Sequence, residues 1–353
     1  FLSRSSLVLF LFGLLYLFIL EIYMKIIKYS IILFFLVFKV TNANENFDIW
    51  LDEFSAKAIS QGVSQKTVND VLKKAKFLPN VIKYDRYQPE FYEDTRTYIG
   101  KRATKKKLKM GINLFNQNKK FINNIENEYS VEKELLLSLM AIETNYGNYL
   151  GKMDIISSLA TLSFDKRRSE FFTKELLILL KLVDNKIIEK ELLYGSWAGA
   201  FGNFQFMPRT IRNYAIDFNN NKLIELKKTE DSFASAANYL KKIGWKKDEP
   251  CFFKVKLKKD IPNKYLNSSA RNIKNKKKAI FFKKYIDDFE NLNINSKIVS
   301  AIIIPDKDII PGAKTLSPAY IVFENYEKIL SWNRSLRFAL AVCTLKESFK
   351  NEI

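Results

Sequence analysis

Three of the chain's eleven glycines, Gly195, Gly199 and Gly202, fall within eight residues, in Gly195-Ser-Trp-Ala-Gly-Ala-Phe-Gly-Asn-Phe-Gln-Phe-Met-Pro. Glycines so clustered permit tight turns and a close approach of a polymer to the backbone. On both sides the pattern is helical. Val68, Val71, Leu72 and Ala75 share one helical face, and Pro89 reads as the first-turn proline of a helix running toward Thr104. Ser130 reads as an N-cap, with Glu132 and Glu134 in the first turn and Leu135, Leu136, Leu139, Met140 and Ile142 at helical spacing up to a stop at Gly147. Ser169 to Asp184 reads as another helix, with Phe172, Leu176, Leu179 and Val183 inward. Pro208 opens one running through Ile211 and Tyr214 to about Asp217, and Asp231 to Lys242 gives the next, stopped by Gly244. Beyond it, the alternation of Cys251 to Lys258 and the β-branched run Ile298 to Ile304 predict strands, with Lys276 to Lys278 as a solvated loop. After Pro318 the pattern returns to helix, with Leu336, Leu340 and Val342 inward.

Histidine is absent, which excludes Ser-His-Asp and Cys-His hydrolysis and zinc sites built on His ligands. The formal charge of +20 reads as a Lys-, Asn- and Ile-rich compositional bias on solvated faces. The lysines are scattered and form no nucleic-acid module, so no nucleic-acid partner is expected. Cys251 and Cys343, the only cysteines, read as two small buried side chains, a bridge being the minor alternative. Leu7 to Leu20 and Ile31 to Phe38 are apolar runs separated by Met24-Lys-Ile-Ile-Lys. From Met24 this is a secretory signal, with small residues placing cleavage after Ala43 and residues 1–23 as an extension ahead of it. The alternative is membrane association through residues 1–38. Neither reading provides a lipoprotein cysteine, and the signal predicts export to the periplasm or cell envelope.

Glu143 ends an otherwise apolar helical run. Burial and the negative end of the helix dipole both penalise its ionised form, as a general acid near neutral pH requires. Ser196 and Gln205 supply neutral hydrogen-bonding groups suited to hydroxyls and acetamides, while Phe201, Phe204 and Phe206 suit the core. A lone acid facing such a loop is the arrangement expected where a glycosidic oxygen is protonated.

Glu143-Thr-Asn-Tyr-Gly, Ser157-Ser-Leu-Ala-Thr-Leu-Ser-Phe, Gly195-Ser-Trp-Ala-Gly-Ala-Phe-Gly and Gln205-Phe-Met-Pro together resemble the membrane-bound lytic murein transglycosylase B family. Gln88-Pro-Glu-Phe and Trp332-Asn-Arg-Ser extend the likeness, which covers roughly residues 47 to 350. The resemblance implies a mainly α (α+β) fold: a helical region over 44–130, a lysozyme-like catalytic core over 131–245, a small β-containing region over 246–318 and a C-terminal helical segment over 319–353. It implies cleavage of the β-1,4 bond between N-acetylmuramic acid and N-acetylglucosamine in peptidoglycan glycan strands without water. Glu143 would be the single acid/base and a 1,6-anhydro ring the product, with no cofactor required. Ordinary glycosidases need two carboxylates, and no second acid stands beside Glu143 in the sequence. Ser196, Gln205, Tyr98, Tyr239, Asn333, Trp332 and Phe338 match substrate-binding positions, although Trp332 replaces the usual tyrosine and Phe338 lacks a hydroxyl. Asp217, Asn219, Asn221, the Leu223 carbonyl and Asp231 resemble the EF-hand-like calcium loop of some relatives. Lys222 stands where glycine eases the turn and only two carboxylates remain, so calcium at 217–231 would bind weakly. Otherwise the loop simply caps the Tyr214 helix and starts the next. The rival functions are a water-admitting muramidase, a non-catalytic glycan-binding protein on the same fold and a basic membrane-associated structural protein.

Overall fold

The computed structural model describes residues 22–29, 45–87, 92–307 and 316–353. Pro89, its Gln88-Pro-Glu-Phe motif and the Ala43 cleavage point lie outside them. The chain divides into two compact units, Phe1–Ser60 and Gln61–Ile353. The first is helical over 22–29 and 45–60. Phe47, Trp50 and Phe54 stack along one face of the longer helix, with ring centroids 5.7 and 5.3 Å apart, as their three- and four-residue spacing dictates. Among the described residues no helix is long and apolar enough to cross a membrane.

The second unit is mainly helical, and one of its interior helices is Lys133–Thr144. Leu135, Leu136, Leu137, Leu139, Met140 and Ala141 are all buried, so the helix is apolar nearly all round, as an interior helix must be. It packs against Leu336–Lys350, whose Leu336, Leu340 and Val342 point inward as expected. Ser169–Asp184 and Pro208–Tyr214 begin where the sequence places them. The latter stops at Tyr214, short of Asp217, and Thr229–Lys242 follows.

Ser130 is not an N-cap. It takes a left-handed conformation (φ 55°) to end the helix Lys119–Tyr129, and Glu132 occupies the N-cap position of the next. With so short a connection, the Ser130 backbone is committed to terminating the first helix. The Glu132 carboxylate is drawn instead to the Trp245 indole N–H and, at 3.1 Å, to the buried Lys346 ammonium.

β1 (Met153–Asp154) pairs antiparallel with β2 (Tyr194–Gly195), and the β region is one five-stranded sheet of β3 (Phe252–Val255), β4 (Leu266–Asn267), β5 (Lys277–Lys278), β6 (Val299–Ile303) and β7 (Ala319–Val322). β7 lies antiparallel between β3 and β6, pairing Phe252 with Val322 and Ile302 with Ile321. β4 runs parallel to β6 and β5 antiparallel to it. Two expectations fail here. Ala319–Val322 is a strand rather than the start of a helical segment, because its apolar run fills the central place in the sheet and is buried on both faces. Lys277–Lys278 is a short strand rather than a loop, with both lysines exposed, as suits an edge that must not recruit another chain. Ile302, Ile304, Ile321 and Phe323 alternate onto one face and pack with Tyr265, Phe282 and Ile286.

Cys251 and Cys343 form a disulfide, with Cα atoms 6.2 Å apart, which corrects their reading as separate buried thiols. The bridge joins the start of β3 to the helix Leu336–Lys350, a proximity only the tertiary fold creates across 92 residues. Closing so long a loop restricts the unfolded chain. Replacing both cysteines by alanine is therefore expected to lower unfolding free energy by about 2–4 kcal/mol. Urea titration of the variant against the oxidised protein reads this out; coincident midpoints would show that the bridge contributes nothing.

Candidate active site

Glu143 is half-buried one residue before the end of its helix, because the chain turns sharply after Thr144. Asn145, Tyr146 and Gly147 take φ values of 50°, 59° and 80°, and the Asn145 and Tyr146 amides close the helix by donating to the Ala141 and Met140 carbonyls. The Thr144 hydroxyl donates to the Asn203 carbonyl at 2.7 Å and accepts from the Gly147 amide at 3.1 Å. The acid's helix is thereby fastened to the glycine-rich loop.

That loop is braced by its own side chains. Ser196 Oγ accepts the Ala200 amide at 3.0 Å. Gln205, itself at φ 48°, sends its amide N–H groups to the Gly202 and Leu150 carbonyls at 3.0 and 3.3 Å. The glycines serve the chain's own packing. At Gly202 (φ 80°) an added Cβ would stand 2.5 Å from Leu226 Cβ and 2.7 Å from the Leu226 carbonyl oxygen, and at Gly199 it would strike the Leu159 side chain. Phe201, Phe204 and Phe206 are core residues, as expected.

A partner of the acid comes from 189 residues away: the Trp332 indole N–H donates to Glu143 Oε1 at 3.0 Å. Phe206 and Phe204 meet the indole edge-on, at 5.3 and 6.2 Å, and Tyr239 stacks on it at 5.0 Å. Tyr239 is held by Tyr214, 4.5 Å away, and by donation from its hydroxyl to the Ser331 carbonyl; burial raises that phenol to about 12.

Glu143 lines a cavity of about 320 Å³ with Thr104, Lys106, Lys107, Thr144, Asn145 and Tyr149. Among the described lining residues it is the only acid. Thr104 caps the helix Lys105–Gln117 through the Lys107 amide, and Lys107's carbonyl accepts the Tyr146 hydroxyl at 2.8 Å, fixing this wall to the turn after Glu143. Burial, joined by repulsion from Arg102, holds the Lys107 ammonium below the ordinary lysine range, while attraction to Glu143 works the other way.

Of the residues singled out in the sequence, Glu143, Trp332 and Tyr239 come together directly. Asn333 ends the helix Glu324–Trp332 beside them, its amide donating to the Ile329 carbonyl. Tyr98 and Phe338 are interior residues, each 4% exposed, and the Arg102 guanidinium covers the Tyr98 ring at 3.6 Å. The Ser157 and Thr161 hydroxyls are structural too, accepting the Lys76 and Leu78 amides at 2.9 Å. Lys107 and Tyr149 were not foreseen. Tyr149 follows the acid by six positions, a usable signal; Lys107 is one lysine in a run and carries none.

The transglycosylase SLT domain family matches residues 46–347, most of the chain. The chain belongs to the transglycosylase SLT family. Over 216 residues it is 31% identical to membrane-bound lytic murein transglycosylase B of Escherichia coli, a match covering 58% of this chain and about three fifths (59%) of that relative. SltB3 of Pseudomonas aeruginosa, solved with NAG-anhNAM-pentapeptide, superposes with a TM-score of 0.75 at 29% identity over 86% of this chain and 79% of its own. The Escherichia coli lytic transglycosylase Slt35 in complex with calcium gives 0.70 at 25% identity over 87% and 93%.

In the 217–231 loop of this transglycosylase SLT chain, the expected ligand side chains hydrogen-bond to the loop's own main chain. Both Asp217 carboxylate oxygens accept main-chain amides, from Asn221 at 3.1 Å and Lys222 at 2.6 Å. Both Asp231 oxygens do likewise, from Phe218 at 3.0 Å and Glu225 at 2.8 Å. The Asn219 side chain accepts the Asn221 amide, and the Asn221 side chain accepts the Leu223 amide. Lys222 adopts φ 71° and brings a positive charge where glycine would fit. Among the described residues no three His, Cys, Asp or Glu side chains gather to hold a metal. The loop closes on itself as a helix connection. A site of millimolar affinity would gain only about 0.4 kcal/mol from 1 mM calcium. Calcium or a chelator is therefore expected to leave Tm unchanged within about 1 °C in scanning calorimetry; a rise of several degrees with calcium would establish a tight cation site.

Proposed function

We propose that this protein is an exported, envelope-located lytic transglycosylase. It cleaves the β-1,4 bond between N-acetylmuramic acid and N-acetylglucosamine in peptidoglycan strands and leaves 1,6-anhydromuramic acid ends. The observation that carries this reading is a single half-buried carboxyl group, Glu143, held by an indole N–H in a cavity wall with no other acid among the described lining residues. SltB3 binds a fragment with an anhydro sugar, in keeping with the product assigned here.

Glu143 first protonates the glycosidic oxygen as the C1–O bond breaks, releasing the N-acetylglucosamine side as an alcohol. The resulting carboxylate takes the proton from the C6 hydroxyl of the muramic acid, and O6 bonds to C1. The proton returns to Glu143, no water is consumed and no cofactor enters. Positive charge at C1 is met by the sugar's own acetamido oxygen and by neutral dipoles of the loop. An internal nucleophile makes the second carboxylate of ordinary glycosidases unnecessary. Mass spectrometry of muropeptides from digested sacculi tests this: anhydromuramyl products are expected, lighter by one water than hydrolytic ones. Hydrated products alone would make the protein a muramidase, and no products a glycan-binding protein.

A further inference from the structure

The Trp332–Glu143 hydrogen bond has a consequence that depends on indole chemistry. An indole N–H donates and never accepts. In a carboxylic acid the carbonyl oxygen is a much better acceptor than the hydroxyl oxygen, so a donor fixed on one oxygen sends the proton to the other. Trp332 is such a donor, on Oε1 at 3.0 Å. Its ring is confined by stacking on Tyr239 and by the edges of Phe204 and Phe206, and its backbone is the last turn of the helix Glu324–Trp332.

We infer that Trp332 is a positioning residue for the acid: it reserves Oε1 as a standing acceptor, so that the proton given to the glycosidic oxygen and recovered from the C6 hydroxyl is always carried on Oε2. This rests on Glu143 being the acid/base. It differs from the substrate-contact role implied by the family resemblance, since the indole N–H acts on the acid itself. The bond also favours the carboxylate over the neutral acid, because a hydrogen bond to a charged acceptor is the stronger. Among the described residues, other titratable groups around Glu143 include Lys106 and Lys107 in the cavity wall, Arg102 acting on Lys107, Tyr149 after the acid's helix and Tyr239 behind the indole. All of them are retained when only the N–H is removed.

The test compares wild type, Trp332→Phe and a variant with benzothienylalanine at 332, which keeps the bicyclic ring and lacks the N–H. Each is assayed for kcat and KM on soluble glycan strands across pH, with Tm measured alongside. Loss of the N–H is expected to lower kcat about 10-fold, change KM less than about 2-fold and move the basic limb of the kcat profile up by about half to one pH unit. If Trp332→Phe fails to fold, the isosteric variant decides. An unchanged kcat and pH profile would overturn the assignment, as would a rise in KM alone, which would make Trp332 a sugar contact. Activity surviving in Glu143→Gln would instead remove the acid/base reading beneath it.

Discussion

Glu143→Gln is expected to lower kcat/KM on peptidoglycan strands by at least about 10³-fold while leaving the protein folded. General acid–base catalysis is worth about 10²–10⁴-fold for one proton transfer, and here one carboxyl group serves both transfers. A glutamine amide neither gives up a proton to the glycosidic oxygen nor takes one from the C6 hydroxyl. It does keep a carbonyl oxygen in the place of Oε1, so the Trp332 N–H retains an acceptor and the aromatic packing has no cause to change. The expected stability change is accordingly within about 1 kcal/mol. Release of soluble muropeptides, alongside thermal unfolding, separates the two effects. Retention of more than a tenth of wild-type turnover by a folded Glu143→Gln would assign the chemistry to another group. Glu143→Asp is the sharper companion. It withdraws the carboxylate from Trp332 by roughly one methylene, and misplacing a catalytic group by about 1 Å costs on the order of 10²-fold.

Much of this arrangement is legible in the sequence, because its parts are local. The apolar run before Glu143, Pro208 at a first helical turn and the inward Phe172, Leu176 and Leu179 of Ser169–Asp184 follow from periodicity and capping, and the structure reproduces them, whereas Val183 is only half-buried and Leu182 is buried beside it. What was not legible depends on contacts between distant segments. Nothing in Trp332-Asn-Arg-Ser says that the indole reaches back 189 residues to the acid. The disulfide is hidden similarly, since each cysteine sits in an ordinary buried context until the sheet and the last helix meet. Ala319–Val322 joins a sheet because two partner strands flank it, which local propensity does not encode.

The glycine cluster teaches a different lesson. Its composition suggests open backbone for a ligand, yet at Gly199 and Gly202 the missing Cβ makes room for Leu159 and Leu226. The same loop carries Asn203, whose carbonyl accepts the Thr144 hydroxyl next to the acid, so its tight packing supports the acid at one remove.

Asp306→Ala is expected to produce the largest loss of stability of any single substitution considered, about 3–5 kcal/mol. Asp306 follows β6 and is 7% exposed. It accepts the Thr95 amide at 3.1 Å, the Thr95 hydroxyl at 2.6 Å and the Arg337 guanidinium at 2.7 Å. Thr95 begins the helix Thr95–Arg102, and Arg337 lies in the first turn of Leu336–Lys350, which packs on the helix of Glu143. One carboxylate thus joins the end of a strand to the starts of two helices. Removing it takes from the Arg337 guanidinium, 2% exposed, a carboxylate that offsets its desolvation. Much of the cost therefore lies in the less compensated burial of this cation rather than in the lost attraction. The combined variant Asp306→Leu with Arg337→Met is then expected to be more stable than Asp306→Ala, since it removes both charges and leaves apolar surface. Urea unfolding of Asp306→Leu, Arg337→Met and the double closes this cycle. A double variant that loses the sum of the two singles would show that the ion pair is not what holds these three segments together.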